Sequence, residues 1–456
     1  MPEHGKSLIV PVETQVREFD PKLLFSCVAA EQGFRAFLGS QTAIHLKIST
    51  LPRGIYVAKD IRKSKVRMMR IMNDLGHRVV AWDEEGLVRY PSNHYFKTRV
   101  ASEALDRTDI FFAWGQEDAA TLKAFPDYKG TPVYETGNPR IDLLRREFWP
   151  IYQEAAATVN QRYGRYILIN TNFGHSNHFL ASQTIRPEAL SSGSDDQIST
   201  NWDRDLAHYR DSMFRHFQKM VPEIARAFPD IAVVLRPHPA ESHEAWIRSA
   251  EGCRNVHVVH EGSVLPWIFG ADVVVHNGCT TAVEAFLVER AAVTYRPIQS
   301  DRFDRHLPDA VSYQAFDMPQ LIAEVGRFVG GHSSKPQTDA QRTALDRHLA
   351  PQNGKLASDQ IIDILRTSDM CSEQSNAPSW TNYLNGWIEA HRRAIQKKIN
   401  SLVPGSKNSR TYERHRFPDV STSEVNNRIR QFADLLGRFH DVRASKVSDG
   451  IFRIET

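Results

Sequence analysis

At 456 residues the chain is too long for one compact core and points to two domains with room for a further segment. A hydrophobic content of 41% with 10% aromatics excludes a disordered chain, and a formal net charge of +3 is too weak to indicate nucleic acid as a partner. Apolar runs fall far short of the ~20 residues a membrane-spanning helix needs, and residues 1–6 lack the apolar core of a signal peptide, so a cytoplasmic location is expected.

Residues 7–12 read as a first strand, followed by a helix over 21–32 that Asp20 can cap. Short strands follow at 34–38 and 54–57, then a helix over 65–75 that offers Met68, Met69, Ile71 and Met72 to a core and stops at Gly76. The run Arg78-Val79-Val80-Ala81-Trp82 leads into the acidic cluster Asp83-Glu84-Glu85-Gly86. Strands at 109–113 and 131–134 continue the alternation, which closes on Thr136-Gly137-Asn138-Pro139-Arg140. Short strands alternating with ~10-residue helices are the pattern of a doubly wound parallel sheet.

A second unit starts at Tyr166-Ile167-Leu168-Ile169, followed by Asn170-Thr171-Asn172-Phe173-Gly174. Residues 175–205 form a polar insertion, either a loop over a site or a disordered stretch. A helix over 206–228 leads to the strand ending in Arg236-Pro237-His238-Pro239, and the sheet resumes at 256–259 and 273–275, ahead of His276-Asn277-Gly278-Cys279-Thr280-Thr281. Residues 359–365 end this unit, 380–403 form a long amphipathic helix, and 425–452 carry a helical apolar pattern that should pack on the body, a partner or a second copy. The expected domains are 1–155, 156–370 and a C-terminal helical extension, 371–456. Cys27, Cys253, Cys279 and Cys371 lack metal-ligand spacing and are read as thiols.

The acidic, His-Pro and Thr-Thr clusters each follow an apolar strand, and open α/β sheets bind ligands beyond the carboxyl ends of their strands. His238 and Arg236 can donate to an anionic phosphate, with Pro239 stiffening the turn. Thr280 and Thr281 open the helix expected at 282–288, where free amides and hydroxyls attract phosphate, and Glu284 can accept from a ribose. The alternatives are a proline-terminated strand with a surface His, an ordinary Thr cap and a solvated Glu. No Gly-x-x-x-x-Gly-Lys or Gly-x-Gly-x-x-Gly loop appears, which disfavours an ATPase or a nicotinamide enzyme. Asp203-Arg204-Asp205 is assigned no metal role. In the first half a carboxylate of the triplet Asp83, Glu84, Glu85 can take a proton from an attacking hydroxyl, and mutual repulsion among three acids should raise their pKa values. Its alternative is a solvated acidic turn. Glu13 and Arg17 join the same rim, either to hold a hydroxylated acceptor or sugar carboxylate or to pair with each other.

On Glu84-Glu85-Gly86, His238-Pro239 and Thr280-Thr281, the chain resembles bacterial GT-B glycosyltransferases that use CMP-activated sugar acids, the sialyltransferases and Kdo transferases. Val12-Glu13-Thr14 and Gly137-Asn138-Pro139-Arg140 add a broader likeness to surface carbohydrate biosynthesis proteins. The resemblance covers roughly residues 7–330. It implies an α/β protein of GT-B architecture, two Rossmann-like domains facing across a cleft, that moves a 2-keto sugar acid from CMP to a hydroxyl of a surface glycan without a metal or other cofactor. Glu84 would be the catalytic carboxylate, supported by Glu85, with the extra Asp83 leaving open which acid points into the cleft. His238 would bind the CMP phosphate and assist its departure, Thr280 and Thr281 would hold it, and the loop with Glu261, Ser263 and Trp267 would lie near the cytosine. Asn138, Arg140, Asn172, Asn277, Gly278 and Glu284 complete the expected binding set.

A UDP-sugar epimerase or transferase of the same architecture and a non-catalytic glycan assembly protein are the competing readings. The basic residues Arg392, Arg393, Lys397, Lys398, Lys407, Arg410, Arg414 and Arg416 either suit the inner face of an anionic membrane carrying lipid-linked acceptors or form a solvated helix face. The interleaved aromatics are expected to pack on the N-terminal domain.

Overall fold

The computed structural model describes residues 6–456 except 91, 186, 188–196, 330–336, 369, 371–377, 404–405 and 407. Cys371, Lys407 and part of the polar insertion lie outside the described residues. Among the described residues fourteen strands follow one another as β1 (Ser7–Val12), β2 (Arg35–Ser40), β3 (Ile55–Ala58), β4 (Arg78–Ala81), β5 (Ile110–Ala113), β6 (Val133–Glu135), β7 (Tyr166–Asn170), β8 (Ala232–Arg236), β9 (Val256–Val258), β10 (Val273–His276), β11 (Ala292–Tyr295), β12 (Tyr313–Ala315), β13 (Arg443–Ser448) and β14 (Ile451–Glu455). They form one sheet in each of two compact units, Met1–Phe148 with Asp346–Thr456, and Trp149–Leu345.

The first unit's sheet runs β13-β14-β2-β1-β3-β4-β5-β6, parallel from β2 to β6. β1 is buried along its whole length because helices cover both faces, which is why Leu8, Ile9, Val10 and Val12 form an unbroken apolar run. One face packs on the helix Val66–Asp74 through Met68, Met69, Ile71 and Met72, the residues the periodicity singled out. The second unit's sheet is wholly parallel, in the order β12-β11-β10-β7-β8-β9. Read from β9, that is the 3-2-1-4-5-6 order of a dinucleotide-binding fold, while β2-β1-β3-β4-β5 of the first unit follows the other common doubly wound order. Two Rossmann-like units and C-terminal helices, the components of GT-B architecture, are therefore present.

Several boundaries differ from expectation. The first helix spans Gln15–Glu31 with Pro21 inside it, so Asp20 is not its cap. Starting the helix early places Glu18 and Lys22 one turn apart, where they form a buried ion pair at 2.8 Å. The helix expected from 206 begins at Gln197 and runs to Ala227. The pattern expected to remain helical to 452 breaks at Gly437, which takes φ +63° as a left-handed cap, after the helix Thr422–Leu436. Beyond it β13 and β14 form a hairpin, and β14 pairs antiparallel with β2.

The C-terminal segment is thus not a separate extension, and residues 346–370 also belong with the first unit. Asp142 explains the latter. Its carboxylate accepts from the backbone of Ala357 and Ser358 and from the Ser358 hydroxyl at 2.7–2.9 Å, capping the helix Ala357–Thr367. The helix Trp380–Ser401 lies against Val66–Asp74, so closely at Gly386 that a Cβ there would meet the Asp74 Cβ at 2.8 Å. The aromatics divide. Tyr383 packs on the core and Phe417 meets Phe19 edge-on at 6.1 Å, but Trp380 and Trp387 are exposed, contrary to the expectation that they pack inward.

Candidate functional site

In the first unit the strand order reverses between β1 and β3, so the loops after those strands mark the place where such sheets bind ligands. Glu13 follows β1, Lys59 follows β3, and the acidic triplet follows β4. Glu13 forms ion pairs with Lys59 and, at 2.7 Å, with Arg416. Arg17 pairs with Glu85 at 2.6 Å and with Glu18 at 3.5 Å, so Glu13 and Arg17 serve other partners rather than each other. Lys22 bridges Glu18 at 2.8 Å and Glu84 at 3.0 Å, all three fully buried.

This network separates the roles of the three acids. Asp83 is buried, with its carboxylate taken up by Arg99, by the Tyr95 hydroxyl at 3.1 Å and by the backbone of Glu85 at 3.1 Å. Both of its oxygens are engaged in shaping the turn, unlike the open acid expected of the triplet. Glu84 is also buried. One oxygen accepts from the Trp82 indole at 2.8 Å and faces Lys22, while Oε2 has no hydrogen-bond partner among the described residues. Glu85 alone keeps its side chain open, at 40% exposure. Burial alone would raise its pKa, but Arg17, Lys59, Arg140 and Arg99 hold it well below the ordinary glutamate value. The expected upward shift from like-charge repulsion is therefore reversed at Glu85, because four cations surround that acid.

Lys59 was missed by the sequence reading, although it directly follows a β-branched run. Burial pushes its pKa down to about 8 against the opposing pull of Asp60, Glu85 and Glu84. Arg416 was read as a membrane-facing charge, yet it reaches Glu13 and also donates to the Thr14 hydroxyl at 2.9 Å. Asn138 caps the helix Pro139–Asp142 by accepting from the Arg140 backbone at 3.0 Å, and its buried Nδ2 has no partner among the described residues. Arg140 donates to the Glu84 carbonyl at 3.3 Å, joining the Asn-Pro-Arg turn to the acidic turn.

In the second unit the order reverses between β7 and β10. One buried carboxylate, Glu241, organises this end of the sheet. Its Oε1 accepts from the Thr171 hydroxyl at 2.8 Å, the Phe173 backbone at 2.9 Å and the His238 backbone at 3.0 Å, and its Oε2 accepts from the Trp246 indole at 2.9 Å. Four donors compensate a buried acid whose pKa burial nonetheless raises. Glu241 follows the His-Pro pair by two residues and was passed over, since two of its four donors, Thr171 and Phe173, stand 70 and 68 residues earlier.

His238 is held by its neighbours in a defined tautomer. Its Nδ1 accepts from the Ala240 backbone at 3.1 Å, which puts the ring proton of the neutral form on Nε2. Pro239 sits within that turn, and Asn172 lies half-buried in the turn after β7. His175 keeps an exposed edge but lies among enough protein for desolvation to lower its pKa, and Arg210, Arg305, His238 and His178 lower it further, to about 3. Two guanidiniums, Arg210 and Arg305, and two further imidazoles, His178 and His238, therefore lie close enough to His175 to act on it. Arg305 also donates to the Gly278 carbonyl at 2.9 Å, bringing the turn after β10 into the group.

His276 is a structural post, accepting from the Gly278 backbone at 3.0 Å and meeting Ser312 at 2.8 Å, with burial taking its pKa to about 3. It holds the turn of Asn277, whose buried Oδ1 has no partner among the described residues, just ahead of the helix Thr280–Leu287. Thr280 and Thr281 open that helix, earlier than expected, and Glu284 lies part-buried one turn on.

Arg236 has a different use from the one expected. It donates to the carbonyls of Glu261 at 2.8 Å and Gly262 at 3.0 Å and stacks over Trp267 at 4.7 Å. It fixes the 261–267 loop instead of projecting at a phosphate. Within that loop Glu261 pairs with Arg162 at 3.1 Å on the surface, Ser263 accepts from the Leu265 backbone at 3.4 Å, and Trp267 is buried. Among the described residues no group of three or more His, Cys, Asp or Glu side chains stands at metal-binding spacing, and Asp205 pairs with Arg302 at 3.0 Å.

No protein-family model matches the chain, and no curated protein matches it. Among solved structures it is similar to the wall teichoic acid polymerase TagF, at 10% identity over 82% of this chain and 90% of that one, with a TM-score of 0.49. It is also similar to Methanocaldococcus jannaschii UDP-GlcNAc 2-epimerase, at 12% identity, 79% and 99% coverage and a TM-score of 0.48. Anabaena Alr3699/HepE, solved in complex with UDP and glucose, shares 10% identity over 80% and 100% of the two chains, with a TM-score of 0.43.

Proposed function

We propose that the chain is a metal-independent glycosyltransferase that takes a 2-keto sugar acid from CMP and passes it to a hydroxyl of a surface glycan. The observation that carries this reading is the neighbourhood at the strand ends of the second unit, where the guanidiniums of Arg210 and Arg305 act on His175 together with His178 and His238, and where the Ala240 backbone amide fixes the neutral His238 ring with its proton on Nε2. The amides that open the helix Thr280–Leu287 add partial positive charge. A CMP-ulosonate carries two anionic groups, a phosphate and a carboxylate, on either side of the carbon that reacts. Hydrogen bonds from His238 and the helix amides stabilise the phosphate as it leaves, which is the task a metal performs in other transferases.

In the first unit Glu85 takes the proton of the attacking hydroxyl, since it is the acid of the triplet with an open carboxylate. A carboxylate held this acidic is a weak base, so it accepts the proton late, once the attacking oxygen has begun to bond to an electron-poor sugar carbon. Glu84, anchored by Lys22 and Trp82, fixes the turn that carries Glu85.

A second reading, transfer or epimerisation of a UDP-sugar, is favoured by one observation: two permanently charged guanidiniums, Arg210 and Arg305, suit adjacent phosphates as well as they suit a phosphate and a carboxylate. Thermal-shift titration with CMP, UMP, UDP and GDP separates the two. Stabilisation by CMP that His238→Ala removes supports the first, a preference for UDP moves the assignment to the second, and no response to any nucleotide refutes both.

A further inference from the structure

The helix Trp380–Ser401 carries an apolar stripe that faces away from the unit it packs on. Its inner side is set by Tyr383, Gly386 and Ala390, which lie against the helices Gln41–Lys47 and Val66–Asp74. At 100° per residue, Trp380, Leu384, Trp387, Ile395, Ile399 and Leu402 share a sector on the outer side. Trp380 is 74% exposed, Ile395 and Ile399 each 59%, and Leu402 82%. Apolar side chains of this size, aligned over about six turns, form an exposed patch of the kind that marks an interaction surface.

The charges around the stripe indicate what covers it. The only acidic residue of the helix, Glu389, is paired with Arg67 and Arg392, each at 3.2 Å. Exposed Lys47, Arg53, Arg70, Arg392 and Lys398 lie on this helix and on the segments packed beside it. A hydrophobic sector that contains two tryptophans and Lys398, with further basic residues beside it, complements an interface whose headgroups are negative and whose interior is apolar. Among the described residues no helix is long and apolar enough to cross a membrane, so such a helix would lie in the plane of the interface.

We propose that the outer face of the helix Trp380–Ser401 docks the protein on an anionic lipid surface, with the tryptophan, isoleucine and leucine side chains entering the headgroup region and the flanking arginines and lysines contacting phosphate. The proposal goes beyond the transferase reading and stands whether or not that reading holds.

Flotation of the full chain with phosphatidylcholine vesicles, and with vesicles that also contain phosphatidylglycerol, tests it. The wild type floats with the anionic vesicles, and its binding weakens as salt rises. The triple variant Trp387→Ser, Ile395→Ser, Leu402→Ser keeps its thermal midpoint, because these side chains are exposed, but binds on the order of a hundredfold less. Arg392→Gln with Lys398→Gln lowers binding to anionic vesicles and flattens the salt dependence. Failure of the wild type to float with either vesicle overturns the proposal, as does a triple variant that floats like wild type. A triple variant that turns dimers into monomers in light scattering while its flotation is unchanged also overturns it, and assigns the stripe to a second copy of the chain.

Discussion

Replacing Glu241 by glutamine keeps its shape and changes one contact. The side-chain carbonyl can still accept from Thr171, Phe173 and His238, but the new amide meets the Trp246 indole, donor against donor. A lost hydrogen bond to a charged acceptor and two buried donors without acceptors cost more than the relief of a buried charge returns, leaving about 2–4 kcal/mol of destabilisation. For a unit of this size that lowers the thermal midpoint by roughly 5–15 °C. Because burial raises the Glu241 pKa, the native state binds that proton more tightly than the unfolded chain does. Wild-type stability therefore falls as pH rises from the ordinary glutamate value through the raised one, the variant lacks this slope, and the gap between them narrows across the window. Calorimetry at three pH values checks both parts. A variant that unfolds within 2 °C of wild type (about 0.5–1 kcal/mol), with the same pH slope, would refute the claim that this carboxylate organises the His238 loop.

Lys22→Met leaves Glu18 and Glu84 buried without their shared cation, so urea denaturation should show the first unit weakened by roughly 3–5 kcal/mol. Asp142→Ala uncaps the helix Ala357–Thr367 and should cost about 2–3 kcal/mol, seen as faster proteolysis within 346–370 under native conditions. Glu85 stabilises the native state above the ordinary glutamate pKa and loses that contribution as pH falls through its lowered value, so Glu85→Gln should flatten the acid limb of a stability profile. In rate profiles Lys59 should contribute a basic limb near pH 8, removed in Lys59→Met; a limb that persists in the variant assigns it elsewhere.

The parallel strands were legible because burial on both faces gives them continuous apolar runs, and the three motif clusters could be placed at strand ends on that signal alone. What stayed hidden depends on partners distant in sequence. Nothing local to Asp83 reveals that Arg99 and Tyr95 occupy its carboxylate, nor that Arg236 is spent on the backbone of residues 261–262. The late hairpin was masked by a helical pattern that continues plausibly past Gly437, and Arg416 seemed a surface charge because its partner, Glu13, lies about 400 residues earlier. The early helix start was recoverable, since Glu18 and Lys22 stand at i and i+4, but Pro21 between them invited a boundary.

The pairing of β14 with β2 has a consequence for how the polypeptide acquires its shape as it is made. The sheet begun by residue 7 is finished only by residue 455, so during synthesis β2 waits with one edge bare while the whole of Trp149–Leu345 emerges. That middle unit has every strand it needs within its own span and can fold first, whereas the unit that starts the chain must be completed last. Shortening the protein from residue 442 onward would leave the row of backbone donors and acceptors on β2 permanently open to other chains, and aggregation during expression is the expected symptom.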